Sequence, residues 1–169
     1  MNSKKPICIT FAGVVGCSKT PIANYLSCKL GLPVFSNDAI RSGVIEDLGF
    51  FDEKVHKTRR DNLIGEVLFS KISFICDASQ DREWSDFKKI ISEYGFDWFI
   101  ISVDLSKKKL AELYKSKNYT DSLLRLDGLI AEHNKFIEEH PEDVGISIND
   151  SNFEKRLELS YSATTLLFK

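Results

Sequence analysis

The chain has 169 residues, a length that suits one domain with a sizeable core. Hydrophobic residues make up 43% and charged residues 28%, the balance of a globular chain and not of a disordered one. The net charge of −2 excludes a broad cationic surface for extended nucleic-acid binding, although a grip on one nucleic-acid end needs only a few local cations.

Ile7 to Ala12 is a short apolar, β-branched run that reads as a buried strand. Ser18 to Leu30 has apolar residues at helical spacing, and Gly31 stops it. Pro21 fits the first turn of that helix. Pro33 to Phe35 reads as a second strand. Ser36, Asn37 and Asp38 supply N-cap chemistry for a helix to about Leu48. Glu53 to Lys71 reads as a helix, Ile72 to Cys76 as a strand ending at Asp77, and Asp81 to Tyr94 as a helix. Trp98 to Val103 is another apolar strand, and Ser106 caps a helix to about Tyr114. The polar stretch Lys115 to Thr120 breaks the pattern. Ser122 to Glu139 is helical and stops before Pro141. Val144 to Ile148 is a last strand, and a closing helix starts near Asn152. Strands alternate with helices, and the strands are apolar on both faces. This predicts an α/β chain with a five-stranded parallel sheet and helices on both sides. Without an internal repeat or linker, residues 1–169 read as a single domain.

No segment approaches the ~20 apolar residues of a membrane helix. The start Met1 to Phe11 lacks the apolar run and cleavage site of a signal peptide, so a cytoplasmic location is expected. Cys8, Cys17, Cys28 and Cys76 form no CxxC pair and lie far from the histidines, so buried, reduced thiols are expected and no zinc site. His133 and His140 fall on a polar helix and are expected to be solvated. Phe96, Trp98 and Phe99 read as core.

The first strand runs into Gly13-Val14-Val15-Gly16-Cys17-Ser18-Lys19-Thr20 and then a helix. Spacing, lysine, threonine and context match the Walker A phosphate loop. Its glycines let successive N–H groups face phosphate oxygens, and the helix N-terminus adds a favourable dipole. Lys19 is placed to reach the β- and γ-phosphates and Thr20 to ligate Mg²⁺. Ser18 stands where the pattern has glycine, and its Cβ is expected to crowd the loop or shift its backbone. Asn134-Lys135-Phe136-Ile137 lacks the aspartate of a guanine-reading motif and lies in a helix, which disfavours a GTPase.

Downstream, Leu30 to Val34 leads into a short strand and then Ser36-Asn37-Asp38-Ala39-Ile40-Arg41. With the phosphate loop, this arrangement resembles the small P-loop kinases, among them AAA_33-type kinases, polynucleotide 5′-kinases and zeta-toxin-like kinases. Phe74 to Ala78 is similar to their third strand. The resemblance spans most of the chain. It implies a three-layer P-loop fold, ATP and Mg²⁺ as cofactors, and transfer of the γ-phosphoryl group to a hydroxyl of a small molecule or nucleotide end. It implies that Asp38 takes the hydroxyl proton, that Arg41 grips an anionic group, and that Asp77 joins Thr20 at the metal. Independently, Asp38 and Arg41 lie three residues apart on one helix face, where a carboxylate and a guanidinium can act together. Such kinases carry a lid after the fourth strand and its helix. Here it falls near residues 114–128, with Arg125 its one arginine and Lys115 and Lys117 beside it. Residues 147–151 correspond to backbone that lies beside the adenine in related folds. Ser18 and the arginine-poor lid keep an alternative open, a non-catalytic nucleotide-binding protein on a kinase scaffold.

Overall fold

The computed structural model describes residues 5–168. In chain order the elements are β1 (Ile7–Ala12), α1 (Lys19–Leu30), β2 (Val34–Ser36), α2 (Asn37–Leu48), α3 (Glu53–Ser70) and β3 (Phe74–Ser79). Then come α4 (Trp84–Glu93), β4 (Asp97–Val103), α5 (Lys107–Ser116), α6 (Thr120–Leu124), α7 (Leu126–Glu139), β5 (Val144–Ile148) and α8 (Arg156–Thr165). Short 3₁₀ turns precede β5 and flank α8. The sheet has five strands in the order β2-β3-β1-β4-β5, and every pairing is parallel. The expected α/β architecture is therefore present.

Strand alternation explains the two helical layers. On β1, Ile9 and Phe11 face one layer, with Ile22 and Leu26 of α1, Leu110 and Tyr114 of α5, and Phe153 before α8. Cys8 and Ala12 face the other, with Leu68 of α3, Trp84 and Ile91 of α4, and Phe136 of α7. Each fully buried aliphatic or aromatic side chain here contributes about 1.5–3 kcal/mol.

Several boundaries differ from the sequence expectation. β3 starts at Phe74, because Lys71 closes α3 in the left-handed region (φ 57°) and Ser73 instead accepts a hydrogen bond from the Ile7 amide through its hydroxyl. It runs on to Ser79 because β1 offers a partner that far, with Phe11 opposite Ser79. Asp77 thus lies inside the strand, not at its end. α4 starts at Trp84, and Asp81 lies in the preceding turn. The expected helix 122–139 is broken at Arg125 into α6 and α7. Cys8, Cys17 and Cys76 are buried, whereas Cys28 is exposed on α1, contrary to expectation. Phe96 is buried, and Trp98 and Phe99 pack partly buried against the core. Among the described residues no helix is long and apolar enough to cross a membrane.

Candidate active site

The loop from Gly13 to Thr20 lies between β1 and α1, at the carboxyl end of the central strand. This is where α/β sheets form their binding crevice. Gly13 and Gly16 have positive φ, 137° and 75°. At Gly16 space is also tight, since a Cβ there would meet the Tyr114 and Tyr119 rings at 3.0 Å. Ser18 adopts φ 84° and ψ 30°, the left-handed conformation that glycine would take without strain. The loop thus keeps a glycine-like backbone at Ser18, and the residue bears the strain.

Lys19 curls back over the loop. Its Nζ donates to the carbonyls of Gly13 and Val14, both at 2.7 Å. The segment leaving α5 covers the loop's outer side. The Tyr114 hydroxyl donates to the Val15 carbonyl, and Lys117 Nζ donates to the Gly16 carbonyl at 2.7 Å. Burial lowers the Lys117 ammonium's pKa below its usual value; Cys17 opposes this, and the charges of Lys19 and Arg156 add smaller downward effects. Lys117, Lys19 and Arg156 form a like-charged group beside the phosphate loop. Arg125 sits exposed at the α6–α7 junction and makes no salt bridge among the described residues. Lys115 is exposed as well.

On the other side of the loop stand Asp77 and Asp38. Burial raises the Asp77 carboxyl above its usual pKa of 3.8, the adjacent Thr20 hydroxyl and Lys19 ammonium pull it down, and the Asp38 charge pushes it up. Thr20, Lys19, Asp77 and Asp38 therefore share one small region. Asp38 lies exposed in the first turn of α2, whose N-cap Ser36 accepts the Ala39 amide at 3.3 Å. Arg41, one turn on, stacks its guanidinium over Phe51 at 4.1 Å. Arg59 pairs with Asp47 at 2.6 Å and Arg60 with Asp61 at 3.1 Å on the surface. Thr20 and Asp77 offer hydroxyl and carboxylate oxygens, the hard donors that suit Mg²⁺.

Sequence reasoning missed a third carboxylate. Asp81, in the turn after β3, accepts the Gly13 amide at 3.0 and 3.3 Å. His133 Nδ1 lies 3.3 Å from the same carboxylate. His133 is 3% exposed, so its expected solvation is incorrect. The helix reads as polar, but this turn of α7 faces the sheet, where Ser102 of β4 lies 3.5 Å from Nε2. His140 is also partly covered, with Nδ1 3.7 Å from Asp143. The one sequence signal for Asp81 was an aspartate soon after a strand beside the phosphate loop. Asn149, Asp150 and Ser151, from the stretch expected beside the base, line an open cleft of about 610 Å³ with Asp104, Ser106 and Lys107. No residue of the phosphate loop lines it.

Solved structures match this fold over nearly the whole chain. The Mycobacterium tuberculosis APS kinase, in complex with AMPPNP and APS, aligns with a TM-score of 0.67 at 16% identity, covering 99% of this chain and 100% of that one. The chain has the fold of the P-loop kinases. The Acinetobacter baumannii shikimate kinase, in complex with shikimate, gives 0.59 at 16% identity over 98% and 94% of the two chains. A gluconokinase from Sinorhizobium meliloti gives 0.56 at 14% identity over 98% and 95%. No protein-family model matches the sequence, and no curated protein does. At these identities the shared property is the P-loop kinase fold itself.

Proposed function

We propose that the chain is an ATP-dependent phosphotransferase whose acceptor is a hydroxyl of a small molecule or nucleotide end. The observation that carries this reading is the convergence of Lys19, Thr20, Asp77 and Asp38 around one phosphate loop. A bare phosphate loop accounts for binding. A second carboxylate at the head of α2, beside the first, accounts for an acceptor.

In this reading the amides of Gly13 to Thr20 hold the phosphates. Lys19 leaves its two carbonyl partners for phosphate oxygens. Thr20 and Asp77 would hold Mg²⁺, which would supply charge neutralisation. Asp38 orients the acceptor hydroxyl and takes its proton. Arg41, already flattened against Phe51, presents its outer edge to an anionic group of the acceptor. Arg125 and Lys117 bring lid charge towards the transferred group. The complexes of the APS kinase with AMPPNP and APS and of the shikimate kinase with shikimate support a nucleotide and a small acceptor.

The test is a phosphorylation screen with MgATP and a panel of hydroxyl compounds, run on wild type and Asp38→Asn. Transfer to some acceptor, lowered about 10²–10⁴-fold in the variant with ATP affinity retained, is the expected result. Full turnover in the variant would exclude Asp38 as the base. The strained Ser18 and the lysine-based lid favour a second reading, nucleotide binding without transfer. Tight MgATP binding with no acceptor phosphorylated would select it.

A further inference from the structure

Gly13 is held on both sides. Its amide donates to the Asp81 carboxylate at 3.0 Å, and its carbonyl accepts from Ser79 Oγ at 2.8 Å and from Lys19 Nζ at 2.7 Å. Its φ of 137° is open to glycine and strained for other residues, and a Cβ would meet the Val103 carbonyl at 2.8 Å. The first residue of the phosphate loop therefore keeps an unusual backbone pose by virtue of what grips it. Two of the three gripping groups come from the last residue of β3, Ser79, and from the turn that follows it, Asp81.

Asp81 is itself held. Its side chain is 9% exposed and that of His133 is 4% exposed, with 3.3 Å between Oδ1 and Nδ1. An ionised carboxylate only accepts, so Nδ1 carries the proton. Nε2 faces the Ser102 hydroxyl at 3.5 Å and the Asp104 carboxylate at 3.9 Å. Burial alone would raise the Asp81 carboxyl, but His133, the Gly13 amide and Lys19 outweigh it and hold the carboxylate ionised below its usual range. Beside this link, Arg82 bonds Glu132 of α7 at 2.7 Å. α7 begins directly after Arg125, so the turn that grips the phosphate loop is also tied to the helix leaving the lid.

We propose that Asp81 is the positioning residue of the phosphate loop, and that His133 orients Asp81 so that its carboxylate fixes the Gly13 backbone for phosphate binding. A negative charge this close to Lys19 opposes phosphate affinity; what it supplies in return is geometric, the hold on the Gly13 amide. The His133 proton and the Gly13 amide absorb that charge. The inference rests on the reading of Gly13–Thr20 as a nucleotide-binding loop.

The experiment measures MgATP affinity by calorimetry, thermal melting, and the Gly13 amide resonance in ¹⁵N-labelled full-length protein. Asp81→Ala should weaken MgATP at least tenfold and move the Gly13 amide proton upfield. Asp81→Asn keeps an acceptor and should stay within threefold of wild type. His133→Leu should weaken binding and move the same resonance, and His133→Asn, which restores a donor near Nδ1, should recover most of both. MgATP affinity unchanged in Asp81→Ala and His133→Leu overturns the proposal, as does an Asp81→Asn variant as impaired as Asp81→Ala. If Asp81→Ala does not fold, the His133 pair decides by the same criteria. If wild type binds no MgATP, the nucleotide-loop reading fails by itself. The Gly13 resonance then decides the link, an unmoved resonance in His133→Leu overturning it and a shift restored in His133→Asn supporting it.

Discussion

Ser36 of β2 pairs with Asp77 of β3 in parallel register. This pairing brings the head of α2 alongside Asp77, whose carboxyl is under the influence of Thr20 and Lys19. Asp38, two residues beyond Ser36, then adds its charge to the environment of Asp77. Two carboxylates far apart in the chain become neighbours because β2 lies next to β3 and β3 next to β1. The consequences reach stability, the loop and the proposed chemistry.

Asp77→Asn should raise the melting temperature while weakening Mg²⁺. Burial is the main cause that raises the Asp77 carboxyl, so its ionised form opposes folding. The folded chain holds this proton to higher pH than the unfolded chain does. Stability from this group therefore falls as pH rises from 3.8 through the raised folded value. A neutral isostere removes that loss. Melting curves from pH 3 to 8 check it, and a variant melting below wild type at neutral pH would contradict it.

Ser18→Gly should stabilise the protein by about 1 kcal/mol, the typical cost of a non-glycine residue in the left-handed region. Ser18 makes no capping hydrogen bond through its side chain, so little is lost in exchange. Denaturant unfolding measures the gain. MgATP affinity should hold or improve, since the backbone already takes the glycine conformation.

Gly16→Ala should lose about 1–3 kcal/mol of stability and most nucleotide affinity. The new methyl meets two tyrosine rings, and φ 75° is strained for alanine. Adding Tyr119→Ala removes one of the two ring contacts and should restore part of the affinity, but not the backbone term. Equal affinity in single and double variants would show that the rings do not matter.

Asp143 should govern acid stability. Its side chain is buried and accepts from Trp84 Nε1 at 2.7 Å, Trp98 Nε1 at 3.0 Å and Lys88 Nζ at 2.8 Å. Burial pushes its carboxyl up, yet these three donors outweigh burial and leave it below 3.8. Its stabilisation is complete above the unfolded value and is lost as pH falls through the lower folded value. Asp143→Ala should cost about 3 kcal/mol at pH 7, because two indole N–H groups and an ammonium lose their partner. The acid limb of the stability curve should flatten in the variant.

Much of this site is local in sequence. The eight residues Gly13 to Thr20 carry the phosphate loop because glycine positions, lysine and helix start are all set by neighbours along the chain. The apolar strands alternate with helices, so the parallel sheet was legible too. The break at Arg125 was not, because Leu123 to Leu126 continues an apolar helical pattern.

The sequence by itself determined the phosphate loop, the α/β alternation and the Asp38–Arg41 spacing, since each depends on residues a few positions apart. The tertiary structure alone decided that Asp81 and His133, 52 residues apart, meet beneath Gly13. It also decided that Tyr114 and Lys117 close over Val15 and Gly16 from the far end of α5. Those contacts depend on strand order and on which face of α7 turns inward. A buried histidine on a helix with a polar composition has no local signature, because its partners are supplied by other elements.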